Sequence, residues 1–370
     1  MKKRLLQAGI TAATLIFSAL AGEVMVRWLV YVPRGTPHVT LNPDTIYYNK
    51  LGITGRHISP GEFDYEFNTN HQGFRGKTPV SSQAVVPRIL CLGDSFTFGV
   101  GAADSETWPV RLQDALGTTG VSTEVVNAGV MGWGLTEYWI WSRQHASKYH
   151  PKLIIVGCHA SDWENAFNGL VSLEPDGSLK THQVVRKDVS VLKSITAKIP
   201  FYDFISTHSA LAALIKESVI QWTRTGTVGG MVGGPPEEAA NSVELAAPIN
   251  QALLGGLQQA AAAAGAGLLV VFIPSHGEME WGENAHHNYR RFRELIQTWT
   301  TALAIPHVDA TLLLRAHLEK HHLPVHALFH VRNGHCTPLG YEVIATGVAN
   351  VITKHPDWLA HGTSSNPPRQ

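Results

Sequence analysis

Short apolar runs that alternate with helix-forming stretches constrain the fold of this chain more than any other feature. The pattern predicts strands at 88–92, 123–127 and 152–157, with helices at about 106–117 and 135–148 between them. Strands that alternate with helices in this way form a parallel sheet with helices on both faces. Their carboxyl ends meet at one edge of the sheet, where open α/β proteins bind their ligands. We therefore expect an α/β protein with its site at that edge.

A serine follows the first of these strands directly. The apolar run Ile89–Leu92 stops at Gly93-Asp94-Ser95, and the small Gly93 lets the chain turn sharply and expose the hydroxyl group. This is the position of a nucleophile. The motif is not the G-x-S-x-G elbow of α/β-hydrolases, because Thr97 occupies the place of the second glycine. It is not a phosphate-binding P-loop either, since no Gly-Lys-Ser/Thr follows.

A histidine near the end of the chain is the candidate general base for that serine. His335 lies in a loop just before a predicted helix at Tyr341–Val351. Thr337 suits the N-cap of this helix and Pro338 suits its first position. The helix fixes the exit of the loop, so we expect the imidazole to be held rigidly, as a general base requires. The residue two before it, where a carboxylate would orient the ring, is Asn333.

Two more strand ends lie at the same predicted edge. The second strand ends in a glycine-rich turn that begins with Asn127-Ala128-Gly129. The backbone N–H of Gly129 can point at a developing oxyanion without a side chain in the way. The third strand runs into the polar turn Ser161-Asp162.

Together these motifs resemble the SGNH (GDSL-type) hydrolase superfamily of esterases and acyltransferases. Gly93-Asp94-Ser95 matches block I, Gly129 matches the block II glycine and His335 matches the block V histidine. The resemblance covers roughly residues 86–165 and 246–354. It implies a flavodoxin-like three-layer α/β/α sandwich with a parallel central sheet. The residues of these motifs are similar to those of a membrane-anchored bacterial branch of the superfamily. Some relatives of this type acetylate or deacetylate exopolysaccharides.

The sequence departs from the family pattern at two positions. Block III usually carries Asn-Asp, and Ser161 stands where that asparagine would donate to the oxyanion. Block V usually carries an aspartate before the histidine, and here the position holds Asn333. Losing one oxyanion donor costs about 10²–10³ in turnover, and an Asp-to-Asn change in a serine triad costs about 10⁴. The resemblance thus implies Ser95, His335 and Asn333 as catalytic residues, with Ser95, Gly129 and Ser161 at the oxyanion.

Two classes of function follow from these residues. The first is an extracytoplasmic serine esterase or O-acyltransferase that acts on a small-molecule or glycan ester, with an acylated glycan or lipid as a candidate substrate and no cofactor. The second is a catalytically degenerate domain that binds carbohydrate or serves as a scaffold, which Asn333 and Ser161 favour. The intact pair Ser95 and His335 favours catalysis. The sequence does not distinguish a hydrolase from a transferase, because the two differ only in the second acceptor.

Composition excludes some partners. The formal net charge is zero and charged residues make up 16% of the chain, which argues against nucleic-acid binding.

The chain has 20 histidines, and His317 and His321 have the i, i+4 spacing of a helical zinc site. No carboxylate or cysteine ligands accompany them, so a solvated helix face is favoured and no metal site is predicted. The cysteines at 91 and 158 end predicted strands, which favours small buried side chains over a disulfide.

The amino terminus predicts a membrane location. Lys2, Lys3 and Arg4 precede an apolar stretch from Leu5 to Gly22, which is at the short end of the length that spans a bilayer. The leading positive charge predicts an amino terminus on the cytoplasmic side and a catalytic domain in the periplasm or outside the cell. Because apolar character resumes after Glu23, we expect an uncleaved single-pass signal anchor. Cleavage after Ala21 is the alternative, and it would release a secreted protein.

The remaining boundaries follow from changes in composition. The stretch 166–245 is predicted to be an insertion, and it includes a glycine-rich linker at 226–236. The lack of apolar periodicity in this linker predicts a surface loop. The oligomeric state is not predicted. The predicted units are an anchor at 1–32, an extension packed on the core at 33–85, the first part of the core at 86–165, an insertion with the linker at 166–245, the second part of the core at 246–355 and a flexible tail at 356–370.

Overall fold

A computed structural model of the chain describes residues 2–183, 196, 198–225 and 242–360. The α-helices of these residues are α1 (Lys2–Leu29), α2 (Ser95–Phe98), α3 (Trp108–Thr118), α4 (Leu135–His145), α5 (Tyr202–His208), α6 (Ala210–Thr225), α7 (Ser242–Ala263), α8 (His276–Trp281), α9 (His287–Ala302), α10 (Ala310–His321), α11 (Pro338–Thr353) and α12 (Asp357–Ala360). The strands are β1 (Arg34–Gly35), β2 (Val39–Asn42), β3 (Ile46–Asn49), β4 (Thr54–Ser59), β5 (Phe63–Asn68), β6 (Arg88–Gly93), β7 (Glu124–Gly129), β8 (Leu153–His159), β9 (Val171–Leu173), β10 (Leu179–Thr181), β11 (Gly267–Ile273) and β12 (His307–Asp309).

Five parallel strands form the central sheet in the order β7-β6-β8-β11-β12. Numbered by their succession along the chain, this is the order 2-1-3-4-5 of flavodoxin-like proteins. All residues of β6, β8 and β11 are buried, as expected for strands that helices cover on both faces. The predicted fold class is confirmed.

Two hydrophobic clusters cover the two faces of the sheet. One face packs against α3, α10 and α11, with Trp108, Leu314 and Tyr341 in the cluster. The other face packs against α4, α7 and α9, with Tyr138 and Leu253 among the buried residues. The chain therefore has three layers, α/β/α, as the family resemblance implies.

The segment before the core forms two small antiparallel sheets, β1-β4-β5 and β2-β3. Arg75 at the end of this segment reaches into the core, where its guanidinium group pairs with Asp104 at 2.5 Å and donates to the carbonyls of Phe98 and Ala102. The Arg75 side chain is completely buried. The extension is thereby attached to the loop that follows α2.

The inserted segment after β8 contributes a hairpin and two helices. The strands β9 and β10 pair around a turn that contains Asp176 and Gly177, and α5 and α6 follow. The start of α6 packs against α1 in a small cluster that includes Val26 and Ala213. The predicted glycine-rich linker at 226–236 and the tail after residue 360 lie outside the described residues.

Helix α1 has 28 residues and begins the chain. Among the described residues it is the one helix that is long and apolar enough to cross a membrane. Most of its apolar side chains are exposed, so the rest of the fold does not bury them.

Candidate active site

The carboxyl ends of the central strands converge on one cavity of about 440 Å³. Its walls come from the turn after β6, from the end of β8, from the segment after β11 and from the loop before α11. The residues that line it are Asp94, Ser95, Phe96, His159, Ser161, Ser275, His276, Gly277, Trp281, His286, Tyr289, Asn333, Gly334 and His335. This is the sheet edge at which the sequence predicts the site.

Ser95 is the first residue of α2, immediately beyond β6. Asp94 is the N-cap of this short helix and accepts a hydrogen bond from the Phe96 N–H at 2.8 Å. Gly93 permits the tight turn, since a Cβ atom there would lie 1.9 Å from the Thr97 hydroxyl oxygen and 2.9 Å from the Gly157 carbonyl oxygen. The Ser95 hydroxyl group is therefore presented to the cavity at the start of a helix.

His335 meets Ser95 across the cavity. Its Nε2 atom lies 2.8 Å from the Ser95 hydroxyl oxygen, although 240 residues separate the two along the chain. The His335 carbonyl accepts from the His330 N–H at 2.8 Å, and Gly334 turns the loop with a φ of 83°. Thr337 caps α11 by accepting from the Gly340 N–H. The loop is therefore held on both sides of the imidazole.

Asn333 orients that imidazole. Its side-chain oxygen lies 2.6 Å from Nδ1 of His335. Because an amide oxygen can only accept, Nδ1 must carry the ring proton, and Nε2 is left to accept from the Ser95 hydroxyl. Ser95, His335 and Asn333 thus form one continuous hydrogen-bonded chain.

The imidazole of His335 is neutral at ordinary pH. Burial lowers its pKa to about 4, although the hydrogen bond that it donates to Asn333 raises it in part. The Phe96 ring lies against it, with the ring centroids 4.5 Å apart. A neutral ring with a free Nε2 lone pair can take a proton from a serine hydroxyl.

Gly129 is not positioned as the sequence predicts. Its N–H donates to the side-chain oxygen of Asn127 at 3.1 Å, and it does not line the cavity. A Cβ atom at this position would lie 2.2 Å from the Phe98 backbone nitrogen. The glycine is required because β7 packs directly against the backbone of α2. Its assignment to the oxyanion hole was therefore wrong.

Ser161 does line the cavity. Its hydroxyl oxygen lies 2.9 Å from Nδ1 of His159, and which of the two groups donates depends on the ring tautomer. The Ser161 N–H also donates to Nδ1 of His159 at 3.3 Å. In the other tautomer, with the proton on Nδ1, this backbone hydrogen bond is given up, and the Ser161 hydroxyl accepts from His159 and keeps its own hydrogen for another acceptor.

His159 is a site residue that the sequence reasoning missed. It is the last residue of β8, and its ring stacks on Phe96 with the centroids 4.1 Å apart. Burial lowers its pKa to about 3, with the nearby His335 adding to the effect. The signal available in the sequence was its place at the end of a buried strand beside the polar turn at Ser161.

Two buried carboxyl groups lie beneath the site. Burial raises the pKa of Asp94 to about 7, and burial together with the charge of Asp94 raises the pKa of Asp162 well above its usual range. Asp162 accepts from the Tyr138 hydroxyl at 2.9 Å and from the His159 N–H at 3.0 Å. The carboxylate and ring atoms of Asp94, His159 and Asp162 that could bind a metal ion all lie within 4.8 Å of one another. These side chains hydrogen-bond to neighbouring protein groups, and in this way they stabilise the ends of β6 and β8.

The extension before the core contributes a support that the sequence gave no sign of. Glu62, in the turn between β4 and β5, accepts hydrogen bonds from the N–H groups of Arg332 at 2.6 Å and Asn333 at 3.1 Å. Burial opposes ionisation of this carboxyl group, but the hydrogen bonds from Arg332, Ser59 and Tyr31 outweigh it and lower its pKa. A charged group from the extension therefore fixes the backbone of the loop that carries Asn333.

The rim of the cavity is aromatic on one side. Trp281 at the end of α8 is 62% exposed, and the rings of His286 and Tyr289 lie beside each other with centroids 5.1 Å apart. His276 also lines the cavity. One side of the mouth is thus formed by aromatic rings, some of which carry polar atoms.

No protein-family model matches the sequence, and no curated protein matches it. Solved structures similar to this chain include a member of the lipolytic protein G-D-S-L family from Veillonella parvula DSM 2008, with 11% identity, a TM-score of 0.41, and coverage of 72% of this chain and 98% of that one. Another is the psychrotrophic esterase EstA from Pseudoalteromonas sp., with 12% identity, a TM-score of 0.40, and coverage of 73% and 98%. A third is Est24, a carbohydrate acetylesterase from Sinorhizobium meliloti, with 13% identity, a TM-score of 0.36, and coverage of 72% and 99%.

The first of these structures is from the GDSL family, whose motifs Gly93-Asp94-Ser95 and His335 match. The chain's own strand order and distances define it as a flavodoxin-like α/β protein with a serine–histidine–asparagine centre at the carboxyl edge of its sheet.

Proposed function

We propose that this protein is a serine esterase or O-acyltransferase of the SGNH type. The observation that carries the proposal is the hydrogen-bonded chain from Ser95 through His335 to Asn333, with distances of 2.8 and 2.6 Å. A serine hydroxyl is a weak nucleophile until an adjacent base accepts its proton. The neutral Nε2 atom of His335 is in place to do so, and the cavity in front of it has room for an ester.

In the proposed reaction the Ser95 oxygen attacks the ester carbonyl as Nε2 of His335 takes the hydroxyl proton. The tetrahedral intermediate collapses when His335 returns that proton to the leaving alcohol, which leaves an acyl group on Ser95. Water or a sugar hydroxyl then attacks the acyl-enzyme, with His335 again acting first as base and then as acid. Water as acceptor gives hydrolysis, and a sugar hydroxyl gives transfer.

The oxyanion needs donors other than Gly129. The Ser95 N–H is at the start of α2, where backbone N–H groups are not used within the helix. The Ser161 hydroxyl supplies a second donor when His159 carries its proton on Nδ1. In this proposal His159 is a positioning residue, since it acts on the oxyanion only through Ser161.

An acylated glycan is the substrate class that the rim supports. Trp281 offers a flat, exposed apolar face beside the cavity, and the rings of His286 and Tyr289 add hydrogen-bonding atoms. Binding sites of this composition combine apolar contact with a few placed polar groups. A sugar ring presents both kinds of surface.

The chain is proposed to act at a membrane. Helix α1 would cross the bilayer once as an uncleaved anchor, with the basic residues at its start on the cytoplasmic side. The α/β domain would then lie in the periplasm or outside the cell.

A pre-steady-state assay with an activated aryl acetate tests the proposed chemistry. The full chain in detergent should release one equivalent of phenol in a burst and then turn over slowly, because the acyl-enzyme accumulates. Ser95→Ala should abolish the burst, while Ser82→Ala on an exposed loop should leave it unchanged. The absence of a burst and of turnover in the native chain would favour the degenerate binding domain.

A further inference from the structure

A band of exposed apolar side chains lies on the inserted helices α5 and α6 and on the residues just before them. Phe201 is 82% exposed and Phe204 is 63% exposed. Large apolar residues with this exposure are uncommon on a soluble surface when they lie close together. The band, called the apolar patch below, consists of Ile199, Phe201, Phe204, Ile205, Ile215 and Val219.

The patch is joined to α1 by a set of polar contacts. The Glu23 carboxylate accepts from the Ser209 hydroxyl at 2.7 Å and from the N–H groups of Ala210 and Leu211 at 2.9 Å each. It thereby caps the N-terminus of α6. Arg27, which pairs with Glu23 at 2.6 Å, also donates to the carbonyl of His208 at the end of α5. The junction of α5 and α6 is therefore fixed against the last turns of α1.

Apolar packing reinforces this junction. Val26 of α1 and Val32 just beyond it are buried against Ala210 and Ala213 of α6. The Leu211 side chain lies next to Gly22, where a Cβ atom would be 3.2 Å from it. Small residues at these positions let the two helices approach closely.

The junction lies where α1 would leave a bilayer. A hydrocarbon core of about 30 Å needs about 20 helical residues, so a span that begins at Leu5 ends near Val24. Glu23 and Arg27 then lie at the outer boundary, where charged groups reach the headgroups. Phe201 and Phe204 are within ten residues of the start of α6, which Glu23 caps. We therefore place them at a similar depth in the bilayer.

We propose that the apolar patch inserts into the outer leaflet of the bilayer that α1 crosses. The occupant is lipid rather than a protein partner because Glu23 and Arg27 hold the junction of α5 and α6 against α1 at the point where α1 would leave the bilayer. Aromatic and branched apolar side chains on a helix at this depth are typical of interfacial binding. This inference rests on the proposed anchoring by α1.

Fluorescence quenching in bilayers tests the proposal with the full chain. The three native cysteines are buried, so a bimane label reacts with a cysteine introduced at an exposed site. Phe204→Cys reports on the patch and Leu15→Cys on the proposed span. Leu312→Cys on α10 is the matched control, because it is 60% exposed and lies on the helix that follows β12, an edge strand of the central sheet.

We expect lipids with brominated chains to quench the labels at positions 204 and 15 by about twofold or more, and the label at 312 by less than about a tenth. Quenching at 15 with none at 204 would overturn the lipid-facing patch and leave the anchor standing. No quenching at either position would overturn both. Fluorescence at 204 that changes with the protein-to-lipid ratio but not with bromination would assign the patch to a second copy of the chain, against the proposal.

Discussion

The Glu62 carboxylate accepts the backbone N–H of Asn333 at 3.1 Å, which links the amino-terminal extension to the loop that orients the proposed base. The same carboxylate accepts from the Tyr31 hydroxyl at 3.2 Å, just beyond the end of α1. The extension is therefore part of the proposed catalytic apparatus and not merely a cover for the core. A segment without a catalytic residue of its own holds one in place.

Glu62→Ala should lower kcat by about 10- to 100-fold with KM little changed, since small displacements of catalytic groups have effects of this size. Glu62→Gln, which keeps one acceptor oxygen, should retain much of the activity. Steady-state kinetics of both variants beside Glu66→Gln, an exposed control on β5, checks this. If Glu62→Ala loses thermal stability but keeps kcat, the residue is structural only.

Arg75 should dominate the attachment of the extension to the core. Arg75→Ala leaves Asp104 without its cationic partner, although Asn68 still donates to that carboxylate, and it removes the donor to the Ala102 carbonyl. Breaking a buried ion pair costs about 3–5 kcal/mol of unfolding free energy. Arg56→Ala breaks the Arg56–Asp64 pair, whose side chains are both more than 40% exposed, and should cost less than about 1 kcal/mol. Denaturant unfolding of the full chain in detergent compares the two. Equal losses of unfolding free energy in the two variants would contradict the prediction that the buried Arg75 pair contributes more than the exposed Arg56 pair.

The pH dependence of activity should show that an asparagine, and not an aspartate, is the partner of His335. With the pKa of His335 lowered to about 4, the base is already deprotonated at mildly acidic pH, so kcat/KM should fall only as the pH approaches 4. In Asn333→Asp the new carboxylate stabilises the imidazolium form and raises that pKa, so the acidic limb should move up by about one unit or more.

The same substitution should raise kcat near neutral pH, by up to about 10⁴-fold, because a more basic imidazole accepts the serine proton more readily. Rate profiles for an aryl ester between pH 4 and 9 measure both effects. An acidic limb that does not move in Asn333→Asp would contradict the assignment of Asn333 as the partner of His335.

The Ser161 hydroxyl is predicted to stabilise the oxyanion. Ser161→Ala should lower kcat by about 10²-fold, while Ser161→Asn, which offers an amide donor with longer reach, should equal or exceed the native rate. His159→Phe keeps the stacking on Phe96 but removes the partner of Ser161, and should match Ser161→Ala. If His159→Phe leaves kcat unchanged, His159 does not position Ser161.

Local patterns in the sequence predict the parallel core and the placement of Ser95 and His335 at one sheet edge. The parallel sheet follows from the alternation and its flavodoxin-like arrangement from the family resemblance, while the turn after the strand marks Ser95 and the helix cap marks His335. The role of Gly129 was misjudged because a glycine after a strand serves equally for an open N–H and for close backbone packing, and here α2 lies against it. His159 and Glu62 were missed since their importance arises only from contacts between distant segments.

Reaction of the full chain with a fluorophosphonate probe tests the central claim most directly, since such probes label only a serine whose hydroxyl an adjacent base activates. We predict labelling at Ser95, located by peptide mass spectrometry, with none in Ser95→Ala and little in His335→Ala. Labelling that persists in Ser95→Ala, or a native chain that does not react, would contradict an activated serine at this site.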